Sequence, residues 1–519
     1  MRNRSKVVVI GLISVLLGVI LLAACSNEKN IKPEDKSADQ STDQSATTAD
    51  PKRAATFNVL FAIATDLKGL SLTDNIYNRY IKERTGVEIK LESPGMEQYY
   101  EKLNILLASG QYPDAFMTDD SYIAKMKQLA ADGLLEDLAP YINDTARYPN
   151  IKKNMPADAW LPVSEGDNIW AFPFNRQDGL NQVVYIRKDW LDNLGLEVPT
   201  SIDEYYKVLK AFAHNDPDGN GKDDTYGLLV TSVPTGTGGR VFKAAFDAER
   251  YRIVDGKVTP PEILPEYKEL IKFLSQLVKE KIMDNEFPTI TTPIFRDKIK
   301  SGKYGMFVNF WHLASGNEIP KEAMDKYTAV ELPLMNNGEQ AKFKYVSTNR
   351  HYIAIPKQTK DIDRLMDMFD WALSPEGTKY TYLGVEGVNY NMVEGKVVKE
   401  GMEELHILSS IYSLVKQGNV TPEVQTYMES TYAKSVIDNL VLGNHSGEID
   451  RLQAMLPPFA DKPNLDKITI EFVTKAVLGN IEVDSAWDDY VKRWREAGGD
   501  KAIQIWTEWY NANGSNVGE

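Results

Sequence analysis

The sequence predicts an α/β protein in which mixed sheets are flanked by helices, and three observations predict it. Strand and helix signals alternate from residue 57 to 132, and the alternation resumes after Trp170. The composition is also that of a folded body, 43% hydrophobic and 26% charged over 519 residues. At roughly 100 to 200 residues per domain this length predicts two to four domains.

The chain opens with Arg2, Arg4 and Lys6 ahead of an uncharged apolar run, Val7 to Leu22. That run is shorter than the roughly 20 residues a spanning helix needs, and Leu22-Ala23-Ala24-Cys25-Ser26 closes it. The closing segment resembles the lipobox of bacterial lipoproteins. The resemblance implies that residues 1–24 are removed and that Cys25 receives a diacylglyceryl group on the extracytoplasmic face of the cell membrane. Residues 25–56 follow without an aromatic residue, too polar to offset the entropy of ordering, and read as a flexible tether.

Phe57 to Ile63 is an apolar run of strand length, and Asp74 to Arg84 places Ile76, Tyr77, Tyr80 and Ile81 at helical spacing before Gly86. Val87 to Leu91 alternates as a strand, and Met96 to Ser109 is helical with Leu103, Leu106 and Leu107 inward. A strand from Asp114 to Thr118 and a helix from Ser121 to Asp132 complete the first series. After Trp170, Gln182 to Arg187 is a strand, and Ser201 with Glu204 three residues on forms a capping box for a helix to about Phe212. Glu266 to Lys281 carries one apolar stripe, Tyr304 to Asn309 and Arg350 to Ile355 are strands, and Ser374-Pro375 starts another helix. From about residue 401 the pattern is mostly helical.

The formal net charge of −15 repels phosphodiester backbones, so nucleic acid is excluded as a partner. Cys25 is the single cysteine, which excludes intramolecular disulfides and Cys-rich zinc sites. No HExxH, GxSxG or GxxxxGK segment occurs and the five histidines are dispersed. A glycosidase needs only two carboxylates, so composition leaves that class open, and the predicted answer is a non-enzyme.

Several segments in order carry a resemblance: Thr85-Gly86-Val87, Ala108-Ser109-Gly110-Gln111-Tyr112-Pro113-Asp114-Ala115, Ile169-Trp170-Ala171-Phe172-Pro173 and Arg187-Lys188-Asp189-Trp190-Leu191. Asp216-Pro217-Asp218-Gly219-Asn220-Gly221-Lys222, Ser374-Pro375-Glu376-Gly377 and Gly384-Val385-Glu386-Gly387-Val388-Asn389-Tyr390 continue it. Together they resemble the family 1 extracellular solute-binding lipoproteins of bacterial carbohydrate ABC importers, in particular the long oligosaccharide-binding branch with its alginate- and pectin-oligosaccharide receptors. The resemblance implies a two-lobe periplasmic-binding-protein-like fold. Lobe one would comprise 57–172 and 350–385, and lobe two 178–346 and 390–519, with ligand held between them. It implies a monomer that delivers an oligosaccharide to permease subunits. A peptide or other small solute as ligand, or a sensor kinase as partner, remains the alternative.

Asp216, Asp218, Asn220, the carbonyl of Lys222 and Asp224 follow the order of ligands at the front of a calcium loop, but Gly227 stands where an EF-hand has its bidentate Glu. A structural calcium is expected, with a solvated Asp/Asn/Gly turn as the alternative. Sugar rings offer apolar faces and a rim of hydroxyls, which calls for aromatic rings and planar polar side chains. The resemblance points to Trp311 as a stacking residue, to Thr118, Asp119 and Asp120 after the third strand, and to Asn175, Arg176, Gln177 and Asp178 at one crossing with Asn349 and Arg350 at the return. Trp311 reads equally as a core residue. Arg176 and Arg350 would suit the carboxylate of a uronic acid.

Overall fold

Three parallel strands begin the structure, each separated from the next by a helix with a sharp stop. Ala55–Leu60 lies between Val87–Glu92 and Ala115–Asp119. The intervening helix Ile76–Thr85 is capped by the Asn75 side chain, which accepts from Asn78 N–H, and ends at Gly86 with φ 73°. Tyr99–Ser109 ends at Gly110 in the same left-handed conformation. The computed structural model describes residues 53–514 apart from 64–66, 68, 96–97, 120–121, 177–181, 232–234, 237, 317, 347–348, 395, 399–411, 413–421, 431, 458 and 460. All of these belong to one unit, Asp50–Glu519.

The first sheet is mixed because two strands from later in the chain join it antiparallel. Asn349–Ala354 pairs with 115–119 on one side and with Phe172–Arg176 on the other. Its core draws on residues from 57–172 and 352–385 together with Tyr412. Helix Ile362–Ala372 covers the sheet with Leu365, Met366 and Phe369, all buried.

A second sheet has Gln182–Arg187 between Tyr327–Val330 and Tyr304–Phe310, with Tyr226–Leu228 beyond. The 182–187 strand is buried on both faces, Val184 and Ile186 in one core and Val183 and Tyr185 in another. The predicted capping box is present at helix Ile202–His214, and helix Pro265–Lys279 buries Tyr267, Leu270, Ile271, Leu274 and Leu277. Arg187 forks onto Asp189, both contacts 2.6 Å, and lies 4.2 Å above the Trp190 ring, so the Arg-Lys-Asp-Trp segment works as a packing unit.

The C-terminal region is mostly helical among the described residues, with Lys462–Val477, Val483–Trp494 and Asp500–Asn513 joining the core of the second sheet. One strand within it, Gly447–Ile449, pairs in parallel with Phe343–Tyr345. Its three residues are too short to leave a periodic signal. Among the described residues no helix is long and apolar enough to cross a membrane.

Candidate functional site

Strand register brings most of the expected polar positions to one end of the first sheet. His351 stands opposite Asp119, and Asn349 opposite Arg176. Positions 119, 175–176 and 349–350 therefore share the edge where the parallel 55–60 and 115–119 strands end, the place where open α/β sheets hold ligands. Asp119 is half-buried and its N–H donates to the Tyr100 hydroxyl at 3.1 Å. Tyr100 stacks on Tyr122 with centroids 4.7 Å apart, and the Tyr122 hydroxyl donates to Asn104 Oδ1 at 2.6 Å. Burial pushes that phenol up to about 12. Tyr99 reaches the Leu60 and Met117 carbonyls with its hydroxyl, which ties both strand ends to the same helix.

Tyr100 was not expected at the site. The only sequence signal for it is the Tyr99-Tyr100 pair opening a helix, where one ring must turn inward and the other outward. Thr118 is fully buried, as are positions 115–117 of its strand, and its hydroxyl donates to Met126 Sδ at 2.8 Å.

Of the two readings of Trp311, the core one describes its surroundings. It begins a short turn, Trp311–Ser315, after the 304–310 strand, and is only 5% exposed. Helix Lys434–His445 supplies Val436, Ile437 and Leu440 to its cluster, and Met428 joins them. A loop residue looks exposed in sequence until a helix more than a hundred residues later folds over it.

The end of the second sheet carries an arrangement with no sequence signature. Arg240 forms an ion pair with Glu249, donates to Gln182 Oε1 at 3.0 Å and to the Lys344 carbonyl, and lies 4.3 Å from the Tyr345 ring. Glu249 in turn accepts from Lys344 N–H at 2.9 Å. The strand beginning at Gln182 and the strand ending at Tyr345 are thus held together through one guanidinium.

In the Asp/Asn/Gly loop, the Asp216 carboxylate accepts from Asn220 N–H and Gly221 N–H, both at 2.9 Å. The Asn220 amide donates to Asp218 Oδ2 at 2.9 Å and Asp224 Oδ1 at 3.2 Å, and Lys303 pairs with Asp224 at 2.9 Å. The hard-oxygen donors therefore gather in one loop, joined through an amide. Among the described residues no group of three or more acidic, His or Cys side chains converges as a metal cage. Cys25, Asp120, Gln177 and Asp178 lie outside the described residues.

Two mixed sheets with separate cores, edged by polar positions at the end of the first, are the fold of the two-lobe solute-binding proteins. The chain belongs to the bacterial extracellular solute-binding protein family, whose model matches residues 65–379, and it is a binding protein, not an enzyme. It is 27% identical over 450 residues to lipoprotein LipO of Bacillus subtilis strain 168, covering 83% of this chain and 88% of the relative. It is 25% identical over 531 residues to the polygalacturonan/rhamnogalacturonan-binding protein YtcQ of the same strain, covering 98% and 99%. Its fold matches an EF-hand mutant of the Streptococcus pneumoniae ABC-transporter substrate-binding protein FusA in complex with fructo-nystose. That match has a TM-score of 0.59 at 20% identity and covers 89% of this chain and all of the other.

Proposed function

We propose that this protein is the receptor of an ABC importer, capturing an oligosaccharide between two lobes and handing it to a membrane permease. The observation that carries the proposal is the meeting of Asp119, Tyr100 and strand positions 175–176 and 349–350 at one sheet end. A carboxylate, an aromatic ring pair, amides and guanidinium groups are what a sugar's hydroxyl rim and apolar face require. The sugar ligands in the names of YtcQ and FusA support the class. Asp119, Asp120, Asn175, Arg176, Asp178, Asn349 and Arg350 would contact the ligand together with Tyr100, while Thr118 and Trp311 support the walls. Arg176 and Arg350 would favour a uronic acid.

The lobes would be 57–172 with 350–385, and 178–346 with 390–519. A ligand touching both shifts the open and closed populations by its extra affinity for the closed form. Cys25 would carry the lipid and 25–56 the tether, a reading supported by the similarity to a named lipoprotein. Calcium would be held by Asp216, Asp218, Asn220, the Lys222 carbonyl and Asp224, where it would neutralise three carboxylates on one turn. The EF-hand mutant among the structural matches supports this. A calcium-dependent rise in melting temperature that Asp216→Ala abolishes is expected, and an equal rise in that variant removes the ion from the loop.

The deciding experiment is a thermal-shift screen at fixed calcium against neutral oligosaccharides, uronic-acid oligosaccharides and peptides. A ligand at a hundredfold excess over its dissociation constant adds about 2.7 kcal/mol of stability, enough for a clear shift. Stabilisation by one sugar class supports the reading, and stabilisation by peptides alone overturns its ligand.

A further inference from the structure

A concavity of ≈ 530 Å³ lies in the helical layer over the second sheet, and Asp203, Tyr206, Phe246, Phe273, Gln276 and Asn336 contribute to its lining. None of its lining residues belongs to the strand ends described above. Its apolar part joins Ile202, Leu334 and Met335 to an aromatic group in which Tyr206 and Phe273 have centroids 6.3 Å apart, and Phe246 and Phe273 5.5 Å. All three rings are half-buried, which holds them in place and leaves part of their surface accessible.

The polar part is set in advance. Gln276 Nε2 donates to Glu280 Oε1 at 2.8 Å and to the Tyr206 hydroxyl at 3.1 Å, while that hydroxyl donates to Glu280 Oε2 at 2.7 Å. These bonds fix the Gln276 amide plane and leave its Oε1 as an acceptor. Asp203 and Asn336, both exposed, add a carboxylate and a second amide to the rim.

Fixed rings beside planar amides and a carboxylate match the two-sided chemistry of a sugar ring, with C–H faces for the aromatics and hydroxyls for the rim. The lining holds one carboxylate, and the nearest cation, Lys210 on the Tyr206 hydroxyl at 3.2 Å, is already paired with Glu280 at 2.8 Å, so an anionic ring finds no free positive charge there. We propose that this concavity is a second carbohydrate site, specific for a neutral hexose ring and separate from the interlobe site. It would gather a neutral stretch of a glycan on the outer surface of the receptor.

Met335 lines the same concavity, and its ε-methyl resonance in the full-length, detergent-solubilised protein reports occupancy. Maltotriose should shift that resonance saturably and trigalacturonate should not. The double variant Gln276→Ala, Asn336→Ala should weaken the maltotriose response about tenfold, the scale of losing paired polar contacts. It should leave the sugar-induced thermal shift of the interlobe site unchanged. Three outcomes overturn the proposal: no saturable shift with maltotriose or cellotriose, an undiminished response in the double variant, or a response only to an apolar peptide. Failure of the interlobe reading would leave the Met335 response intact, so the two are separable.

Discussion

The indole of Trp311 meets the ring of Tyr432 edge-on, with centroids 5.1 Å apart and planes at 75°. Each residue comes from a different part of the chain, and the contact closes a small core in which Met428 and three residues of helix 434–445 take part. Removing a buried Trp leaves a cavity and costs about 3–5 kcal/mol. Trp311→Ala should therefore lower stability by that amount in urea unfolding, and Trp311→Phe should recover most of it. Unchanged stability with weakened sugar affinity would return Trp311 to the ligand site.

Arg364 is fully buried, with Nε donating to the Arg53 carbonyl at 2.9 Å, Nη2 to the Thr85 carbonyl, and Nη1 to Asp367 at 2.5 Å. It locks the backbone at Arg53 to the end of helix 76–85. Arg364→Leu would remove the partner of the Arg53 and Thr85 carbonyls and leave Asp367 to Arg147 alone, and a loss of about 3 kcal/mol is expected, read as a fall in the midpoint of chemical denaturation. A change under 1 kcal/mol, about the value of an exposed ion pair, would contradict the account.

Glu280 is held down to about 2 by hydrogen bonds from Lys210, Tyr206 and Gln276. Its folded value lies below the ordinary carboxylate range, so its contribution to stability is full above about 4.5 and is lost as pH falls toward about 2. Melting temperature followed across that acid window should fall less steeply in Glu280→Gln than in the parent. Parallel curves would show that the carboxylate is not held as described.

Gly377 has no room for a side chain, because a Cβ built there would lie 2.0 Å from the Trp371 carbonyl oxygen and 2.5 Å from Ala372 Cα. Helix Pro375–Leu383 can start under the Ser374 cap only if it approaches the preceding helix this closely. Gly377→Ala should destabilise by about 1–3 kcal/mol, the usual cost of overpacking. Ser374→Ala, which removes only the cap, should cost about 1 kcal/mol. Differential scanning calorimetry of the pair orders the two effects, and the reverse order would refute the close approach.

Local signals carried much of the fold because their physics is local. The Ser201–Glu204 capping box, the Gly86 stop and the apolar stripe from Tyr267 to Leu277 each act within a few residues, and each stands where the sequence predicts it. Helix starts moved by two or three residues, as at Ile76 and Tyr99. The positions that the resemblance points to, Asp119 with 175–176 and 349–350, lie near one another because strand register sets 351 opposite 119 and 349 opposite 176.

What sequence alone determined, then, is the class of element along the chain, the acidic single-cysteine composition and the order of oxygen donors from Asp216 to Asp224. Tertiary structure decided the rest. It set 349–354 antiparallel between 115–119 and 172–176, turned Thr118 inward while Tyr100 took a place beside Asp119, covered Trp311 with a distant helix, and assembled Arg240 with Gln182, Glu249 and Lys344. The reason is physical: periodicity and caps record a residue's relation to its near neighbours. Burial and hydrogen-bond partnership depend on segments a hundred or more residues away, whose arrival leaves no mark on the local pattern.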